Sequence, residues 1–479
     1  MIPLSQLFWN IMRKHIVEQT VLLASVAKWL FLSSIIGALI GALVALFLNI
    51  LSYSQESRDL LPLPYYFTLP FAFALTVFIV KKFAPDAEGH GTEKVIEAIH
   101  KHSGRIKVIT IPIKLAATVL TIFAGGSVGK EGPAAQIGAA ASSLFASIFS
   151  FSDRDRKKLV ICGIGAGFAA VFGTPIAGAI FGVEVLVIGV IMYDVLLPSI
   201  IAGFSSFMVA RALGVDYSYF EVVNYTYIGL DWEIILDVVL AGLFFGAISV
   251  IFILILQQVH EYIKSIKLNS VLKAFLGGVV IVILTLIFSD AYLGLGFETI
   301  KNSLSTDKLI FDTITWYDFI LKMIFTALSL GSGGSGGIIT PIFYIGATSG
   351  NFFGYIIDGN IPFFAALGFI SLLSGTTNAP IASIIMAMEL FGIELAQYAA
   401  LTSIISYLIA GHRSVFSSQI LFLKKSDHLD IKLGQEIDKT EVNFTHDFKF
   451  ENMEKMKDIL ENKKKRFRDR NRRDKDNKE

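Results

Sequence analysis

The sequence predicts an all-α protein that crosses a membrane many times and is built from two homologous halves. Three observations carry that prediction: a shortage of charge over most of the chain, a succession of long apolar runs, and an internal repeat at nearly fixed spacing.

Of the 479 residues, 54% are hydrophobic and 17% are charged, against about a quarter charged in an ordinary soluble domain. The shortage is uneven, because residues 424–479 hold 31 of the 81 charged side chains. The preceding 423 residues are left with 50, a density suited to lipid. Net charge is +1 and no basic patch runs through the body, so nucleic acid is not an expected partner. The lone cysteine, Cys162, excludes an internal disulfide framework and a cysteine metal cluster. It sits in an apolar stretch and reads as a buried thiol. No cofactor is expected. The first apolar run, from about Val21 to Leu51, is too long for a signal-peptide core.

A bilayer-spanning helix needs about 20 mostly apolar residues. Runs near 22–52, 63–80, 158–190, 193–213, 232–257 and 273–289 are clear candidates. Others are shorter and broken by Gly and Pro, near 108–125, 133–150, 318–330, 341–357, 362–374, 379–394 and 397–410. Interrupted helices of this kind in transporters stop near the midplane and aim their ends at a site.

The repeat defines the organisation better than hydropathy does. Residues 125–133 read Gly-Gly-Ser-Val-Gly-Lys-Glu-Gly-Pro and residues 333–341 read Gly-Gly-Ser-Gly-Gly-Ile-Ile-Thr-Pro. Both continue to Ile-Gly-Ala at the same offset. A second pair sets Thr174-Pro-Ile-Ala-Gly-Ala-Ile-Phe-Gly-Val-Glu184 against Ala379-Pro-Ile-Ala-Ser-Ile-Ile-Met-Ala-Met-Glu389. The spacing is 208 residues from Pro133 to Pro341 and 205 from Pro175 to Pro380. The halves are therefore 20–215 and 230–423, after a short cytoplasmic segment, 1–20. A charged cytoplasmic tail, 424–479, is expected to be solvated and disordered, or to touch anionic headgroups. The repeat alone does not say whether the halves are parallel or inverted.

Gly-rich loops that open apolar helices make anion sites. Glycine lets backbone N–H groups approach a ligand closely, and the helix N-terminus adds partial positive charge. Two such loops converging on one point can replace the hydration shell of an anion without trapping it. A phosphate-binding P-loop at 125–131 fails on residues: Ala124 stands where the first glycine is needed, and Glu131 follows Lys130 where Ser or Thr is required. Glu131 is an ionisable group between two apolar segments, which marks a functional candidate. As a carboxylate it competes with an anion; as a neutral acid it has accepted a proton. The alternative is an ion pair with Lys130 or Lys114. Glu184 and Glu389 end apolar helices and are expected to cap or pair with backbone.

Gly129-Lys-Glu-Gly-Pro133 resembles the gating-glutamate motif of the CLC family of chloride channels and chloride/proton antiporters, with Lys where Arg is usual. Gly337-Ile-Ile-Thr-Pro341 resembles its second-half motif. Gly89-His-Gly-Thr-Glu93 is similar to the family's Gly-Ser-Gly-Ile-Pro loop, and Gly411-His-Arg-Ser-Val-Phe-Ser-Ser-Gln419 to the segment carrying its central tyrosine. The resemblance implies an inverted repeat of tilted, partly broken helices and a homodimer with one anion path per subunit. It implies Glu131 as gate and proton acceptor. Anion contacts would come from His90, Gly91, Lys130, Gly132, Ile338, Ile339 and Phe416. The expected location is a bacterial inner membrane.

Three departures from the family pattern bear on mechanism. His90 replaces a serine whose hydroxyl would bind the anion, and either donates from its ring or faces away. Phe416 replaces the tyrosine and has no donor. Val185 stands where antiporters carry an inner proton-passing glutamate, and Glu184, one residue earlier, points about 100° away on a helix. The leading expectation is chloride transport that is passive or weakly proton-coupled. The alternative is a proton-coupled antiporter for chloride or fluoride, since Thr340 and Val185 both depart from the chloride-antiporter pattern. An intramembrane enzyme using Glu131 and Glu184 is disfavoured, because no His-Glu-x-x-His motif or Ser/His pairing accompanies them.

Overall fold

The computed structural model describes residues 4–217, 231–440 and 443–444. The first half runs α1 (Leu4–Glu56), α2 (Leu69–Phe83), α3 (Thr92–Lys101), α4 (Thr110–Phe123), α5 (Glu131–Ile148), α6 (Asp153–Phe172), α7 (Pro175–Glu184) and α8 (Tyr193–Ala212). The second runs α9 (Trp232–Ser265), α10 (Ser270–Ile287), α11 (Phe297–Ser303), α12 (Lys308–Phe311), α13 (Asp318–Gly331), α14 (Ile339–Ile356), α15 (Ile361–Thr377), α16 (Pro380–Phe391) and α17 (Ala396–Ile409). The starts of α4 and α13, of α5 and α14, and of α6 and α15 each differ by 208 residues, so the sequence repeat is a structural repeat. Among the described residues, five helices are long and apolar enough to cross a bilayer alone: α1, α8, α9, α10, and α2 with the short turn before it. Residues 4–20 are continuous with the first span, because α1 runs over 53 residues. At 1.5 Å per residue it is about 80 Å long, well beyond a ~30 Å hydrocarbon core.

The apolar run 158–190 is not one helix. Gly173, at φ +71°, closes α6 in the left-handed conformation, and Pro175 opens α7 at its first turn. Both residues are preferred at those positions, glycine for lack of a Cβ and proline for its fixed φ. The second half stops in the same way at Asn378 (φ +57°) before Pro380.

The two short broken helices cap one another. The carboxylate of Glu184, at the end of α7, accepts from the amides of Ile381 (3.0 Å) and Ala382 (2.8 Å) at the start of α16. Glu389, at the end of α16, accepts from Ile176 (3.0 Å) and Ala177 (2.8 Å) at the start of α7. Contacts that exchange partners in this way are the mark of a two-fold relation between the halves. Each carboxylate satisfies two amides that the helix itself leaves open. Removing one, as in Glu184→Ala, leaves those amides unpaired at about 1–3 kcal/mol each. Thermal unfolding in detergent should show Glu184→Ala and Glu389→Ala each lowering Tm, with the glutamine variants closer to wild type.

Residues 424–440 belong to structure rather than to a solvated tail. Strand β1 (Val187–Ile188) pairs in parallel with β2 (Ile420–Leu421), and β2 pairs antiparallel with β4 (Gln435–Glu436). Between them, β3 (Leu429–Asp430) pairs with β5 (Asn443–Phe444). Glu436 also binds Lys101 at the end of α3, at 2.8 Å. The basic stretch from Lys463 onward lies outside the described residues.

Candidate functional site

The two Gly-rich loops meet. The amide of Gly129 donates to the carbonyl of Gly337 at 2.7 Å, and the amide of Gly337 donates back to Gly129 at 2.6 Å. These glycines are repeat equivalents, so the bridge lies on the two-fold relation itself. Glu131, the first residue of α5, is fully buried. Its Oε1 accepts from the amide of Ile339 (2.6 Å), and its Oε2 accepts from the hydroxyl of Thr340 (2.7 Å). The first half thus supplies a negative group, and the second half supplies the donors that hold it at the start of α14.

Neither expected lysine pairs with Glu131. The Lys114 ammonium donates to the carbonyls of Ala87 (3.1 Å) and Gly89 (2.5 Å). Lys130 lies over the ring of Phe297, 5.1 Å from its centroid. Among the described residues no ion pair involves Glu131.

Two cavities lie along the repeat-related loops 89–93 and 294–298. One, of about 600 Å³, is lined by Gly89, His90, Glu93, Ser414 and Ser417, with Lys81, Lys94, Lys264 and Lys273 among its other walls. The second, of about 710 Å³, is lined by Gly294 to Glu298 and by Arg58, Asp290 and Asp318. The inverted repeat sets them on opposite faces. The lysines of the first match the positive-inside pattern expected of a cytoplasmic face.

His90 and Phe416 come together at the inner end of the site. Their ring centroids are 5.8 Å apart, Phe416 is buried, and His90 Nδ1 is buried with no hydrogen-bond partner among the described residues. The backbone of His90 and Gly91 abuts that of Gly132, so closely that a Cβ on Gly132 would overlap the His90 carbonyl. Ile338 is the buried N-cap residue of α14. Glu131, Gly132, Ile338, Ile339, His90, Gly91 and Phe416 are therefore gathered, while the head of Lys130 lies apart. Val185 is buried beyond α7, and its carbonyl accepts from Gln419 Nε2 at 2.8 Å.

Sequence reasoning missed two features here. Thr340 was noted only as a departure, yet its hydroxyl binds Glu131. A third repeat pair also exists: Gly89-His-Gly-Thr-Glu93 matches Gly294-Leu-Gly-Phe-Glu298 at the 205-residue spacing. Its anchor repeats as well, because Lys322 donates to Tyr292 and Gly294 (both 3.0 Å) as Lys114 does to Ala87 and Gly89. The 208-residue spacing from Lys114 to Lys322 was the available signal.

A buried junction of repeat-related Gly-rich loops, with a carboxylate seated on the donors at the start of a helix, fits a membrane protein that passes small ions. The sequence profile described as "Voltage gated chloride channel" matches residues 72–411, and this chain belongs to that CLC family. A "Chloride/fluoride channel protein" of Pseudomonas syringae pv. tomato is 36% identical over 412 residues, covering 84% of this chain and 88% of the relative. A "Voltage-gated ClC-type chloride channel" of Escherichia coli is 29% identical over 375 residues, covering 76% and 84%. Among solved structures, "a CLC-type fluoride/proton antiporter" superposes with a TM-score of 0.77 at 28% identity, over 82% of this chain and 98% of that one. "A slow cyanobacterial Cl-/H+ antiporter" gives 0.68 at 22% identity, over 80% and 94%, and speaks for the fold alone. The chain is an integral, multi-pass anion transport protein with the CLC fold and bacterial relatives, and not an enzyme.

Proposed function

We propose that this protein exchanges a small halide for protons, with fluoride the favoured anion and Glu131 as both gate and proton carrier. The observation that carries the reading is the seat of Glu131. Its carboxylate already holds the Ile339 amide and the Thr340 hydroxyl, the donors an anion would need. An arriving anion displaces the carboxylate, and a displaced carboxylate, freed of its donors in a buried setting, takes a proton. One site thus alternates between an anion and Glu131, which is the coupling that exchange requires. The passive reading rests on Val185 alone. The name of the 28% identical structure, a fluoride/proton antiporter, favours the coupled one, and the name of the first relative, a chloride/fluoride channel protein, favours fluoride as a transported anion.

Fluoride is favoured on donor chemistry. A small, strongly hydrated anion gains most from short bonds to compact donors, and the Ile338 and Ile339 amides with the Thr340 hydroxyl are such donors. Phe416 supplies none, and the remaining contacts assigned here are His90 and the backbone of Gly91 and Gly132. Lys130, whose ammonium lies over Phe297 at the wall of the second cavity, is assigned a steering role. The homodimer implied by the resemblance is part of this proposal, and crosslinking in liposomes tests it.

Purified protein in liposomes loaded with fluoride or chloride, under an outward anion gradient, distinguishes the readings. Anion efflux and external pH are recorded together, with and without valinomycin. Proton uptake that follows fluoride efflux and exceeds the protein-free leak is the expected result. Efflux that needs valinomycin and moves no protons would return the protein to the passive reading. Faster coupled efflux of chloride than of fluoride would overturn the assignment of the anion.

A further inference from the structure

We propose that Glu93 and His90 form the cytoplasmic proton port of Glu131, in place of the inner glutamate that Val185 cannot supply. The inference rests on the proton-coupled reading above and deepens it.

Glu93 sits in the first turn of α3 and lines the cytoplasmic cavity. Its two oxygens differ. Oε1 accepts from Ser417 Oγ (2.8 Å), the Ser418 amide (2.9 Å) and Ser418 Oγ (2.5 Å). Oε2 is buried with no partner among the described residues. His90, three residues earlier, lines the same cavity and has its own buried orphan, Nδ1. A buried polar atom without a partner is costly, by about 1–3 kcal/mol. A proton on Oε2, or a water bridging towards Nδ1, relieves that cost, so both groups can exchange a proton without rearranging their surroundings. From His90 the route to the site is short, because the His90–Gly91 backbone packs on Gly132, next to Glu131.

The fold does not require an enclosed carboxyl at this position. Glu298, the repeat counterpart of Glu93, is solvent-exposed. The enclosure by Ser417 and Ser418 is particular to the cytoplasmic side, where a proton port is missing. The other groups facing Glu93 across the cavity are Lys81, Lys94, His260, Lys264 and Lys273, with Glu88 the one further acid. Lys114 stands behind the loop, on the Gly89 carbonyl. This positive surround draws anions to the cavity while leaving Glu93 and Glu88 as its acids.

The transfer balances with neutral imidazole protonated on Nε2. For a proton entering from the cytoplasm, Glu93 Oε2 receives it from cavity water and passes it, through water, to His90 Nδ1. The imidazolium then releases the Nε2 proton to the carboxylate of Glu131 once an anion has displaced that group. His90 recovers its starting tautomer through cavity water. Protons leaving for the cytoplasm follow the reverse order.

The test is the proton-to-fluoride ratio of the full chain in liposomes. Glu93→Gln keeps an oxygen for Ser417 and Ser418 but cannot release a proton at neutral pH. Its proton flux per fluoride should fall by about tenfold or more, as for loss of a positioned proton carrier, while fluoride still flows with valinomycin. His90→Asn should lower the same ratio, and Glu93→Asp should restore it. A wild-type ratio in both Glu93→Gln and His90→Asn would overturn the port and leave the coupled reading intact. Fluoride flux lost in both Glu93→Gln and Glu93→Asp would also overturn it, making Glu93 a structural clamp on the Phe416 segment. Absence of proton movement in the wild type would instead overturn the coupled reading itself.

Discussion

Glu131→Gln and Glu131→Ala are expected to bring proton movement down to the protein-free leak while anions continue to flow down their own gradient. Both remove the only carboxylate seated on the Ile339 and Thr340 donors, so no proton can be carried through the exchange. The two should differ in speed. An amide oxygen at position 131 can still accept from the Ile339 N–H and the Thr340 hydroxyl, leaving a neutral plug in the anion seat. Alanine leaves the seat open. Each charge-assisted bond removed is worth about 1.5–3 kcal/mol, so the alanine variant should pass anions at least tenfold faster than wild type when valinomycin clamps the voltage. In both variants anion flux should lose its dependence on pH. Wild-type flux should rise with acidification, since a protonated Glu131 no longer competes as an anion. Coupled proton flux surviving in Glu131→Ala would remove Glu131 from the mechanism.

The second large effect is expected at the bridging glycines, and it should be unequal. A Cβ on Gly129 would meet only the carboxylate of Glu131 among its nearest neighbours. That is the mobile end of a side chain, so Gly129→Ala should fold and unseat the gate, with raised anion leak and weakened coupling. A Cβ on Gly337 would meet the same carboxylate and also the amide nitrogen of Gly132 at 2.7 Å, which is backbone and cannot swing aside. Gly337→Ala should therefore lower Tm and yield together, with little transport of either ion. Size-exclusion profiles and paired fluoride and pH traces would separate the two. A well-folded, fully coupled Gly337→Ala protein would show that the two loops can part without loss.

Most of the architecture could be read in the sequence because the repeat was carried by residues whose backbone roles are hard to replace. Gly-Gly-Ser-x-Gly-x-x-x-Pro recurs where chains must approach closely, and the proline-to-glutamate segments recur where two helices cap each other. The third repeat escaped notice because only its glycines and glutamate persist, while His90 and Thr92 correspond to Leu295 and Phe297. The break in the run at 158–190 escaped because hydropathy does not register a left-handed residue. Within the site, Glu131 and the second-half amides were legible from motif and charge. The bond from Thr340, the orphan nitrogen of His90 and the enclosure of Glu93 were not. Each depends on residues more than 200 positions apart or on the absence of a neighbour, and neither leaves a local pattern. The strands at 420–421 and 435–436 are too short for an alternating signal; β1 offers an edge to the first, and the first offers one to the second.

The exchanged caps of α7 and α16 have a consequence for how the protein is made. When α7 leaves the ribosome, the glutamate that will close its first turn is still untranslated, since Glu389 lies 213 residues beyond Ile176. At ~5–20 residues per second that wait lasts roughly 10–40 s. During it the nascent first half sits in the membrane with the amides of Ile176 and Ala177 open and Glu184 without its donors. The two halves should thus be poor products when expressed separately and recover when co-expressed. Acceptance of the finished chain by the cell amounts to a check that both halves have arrived.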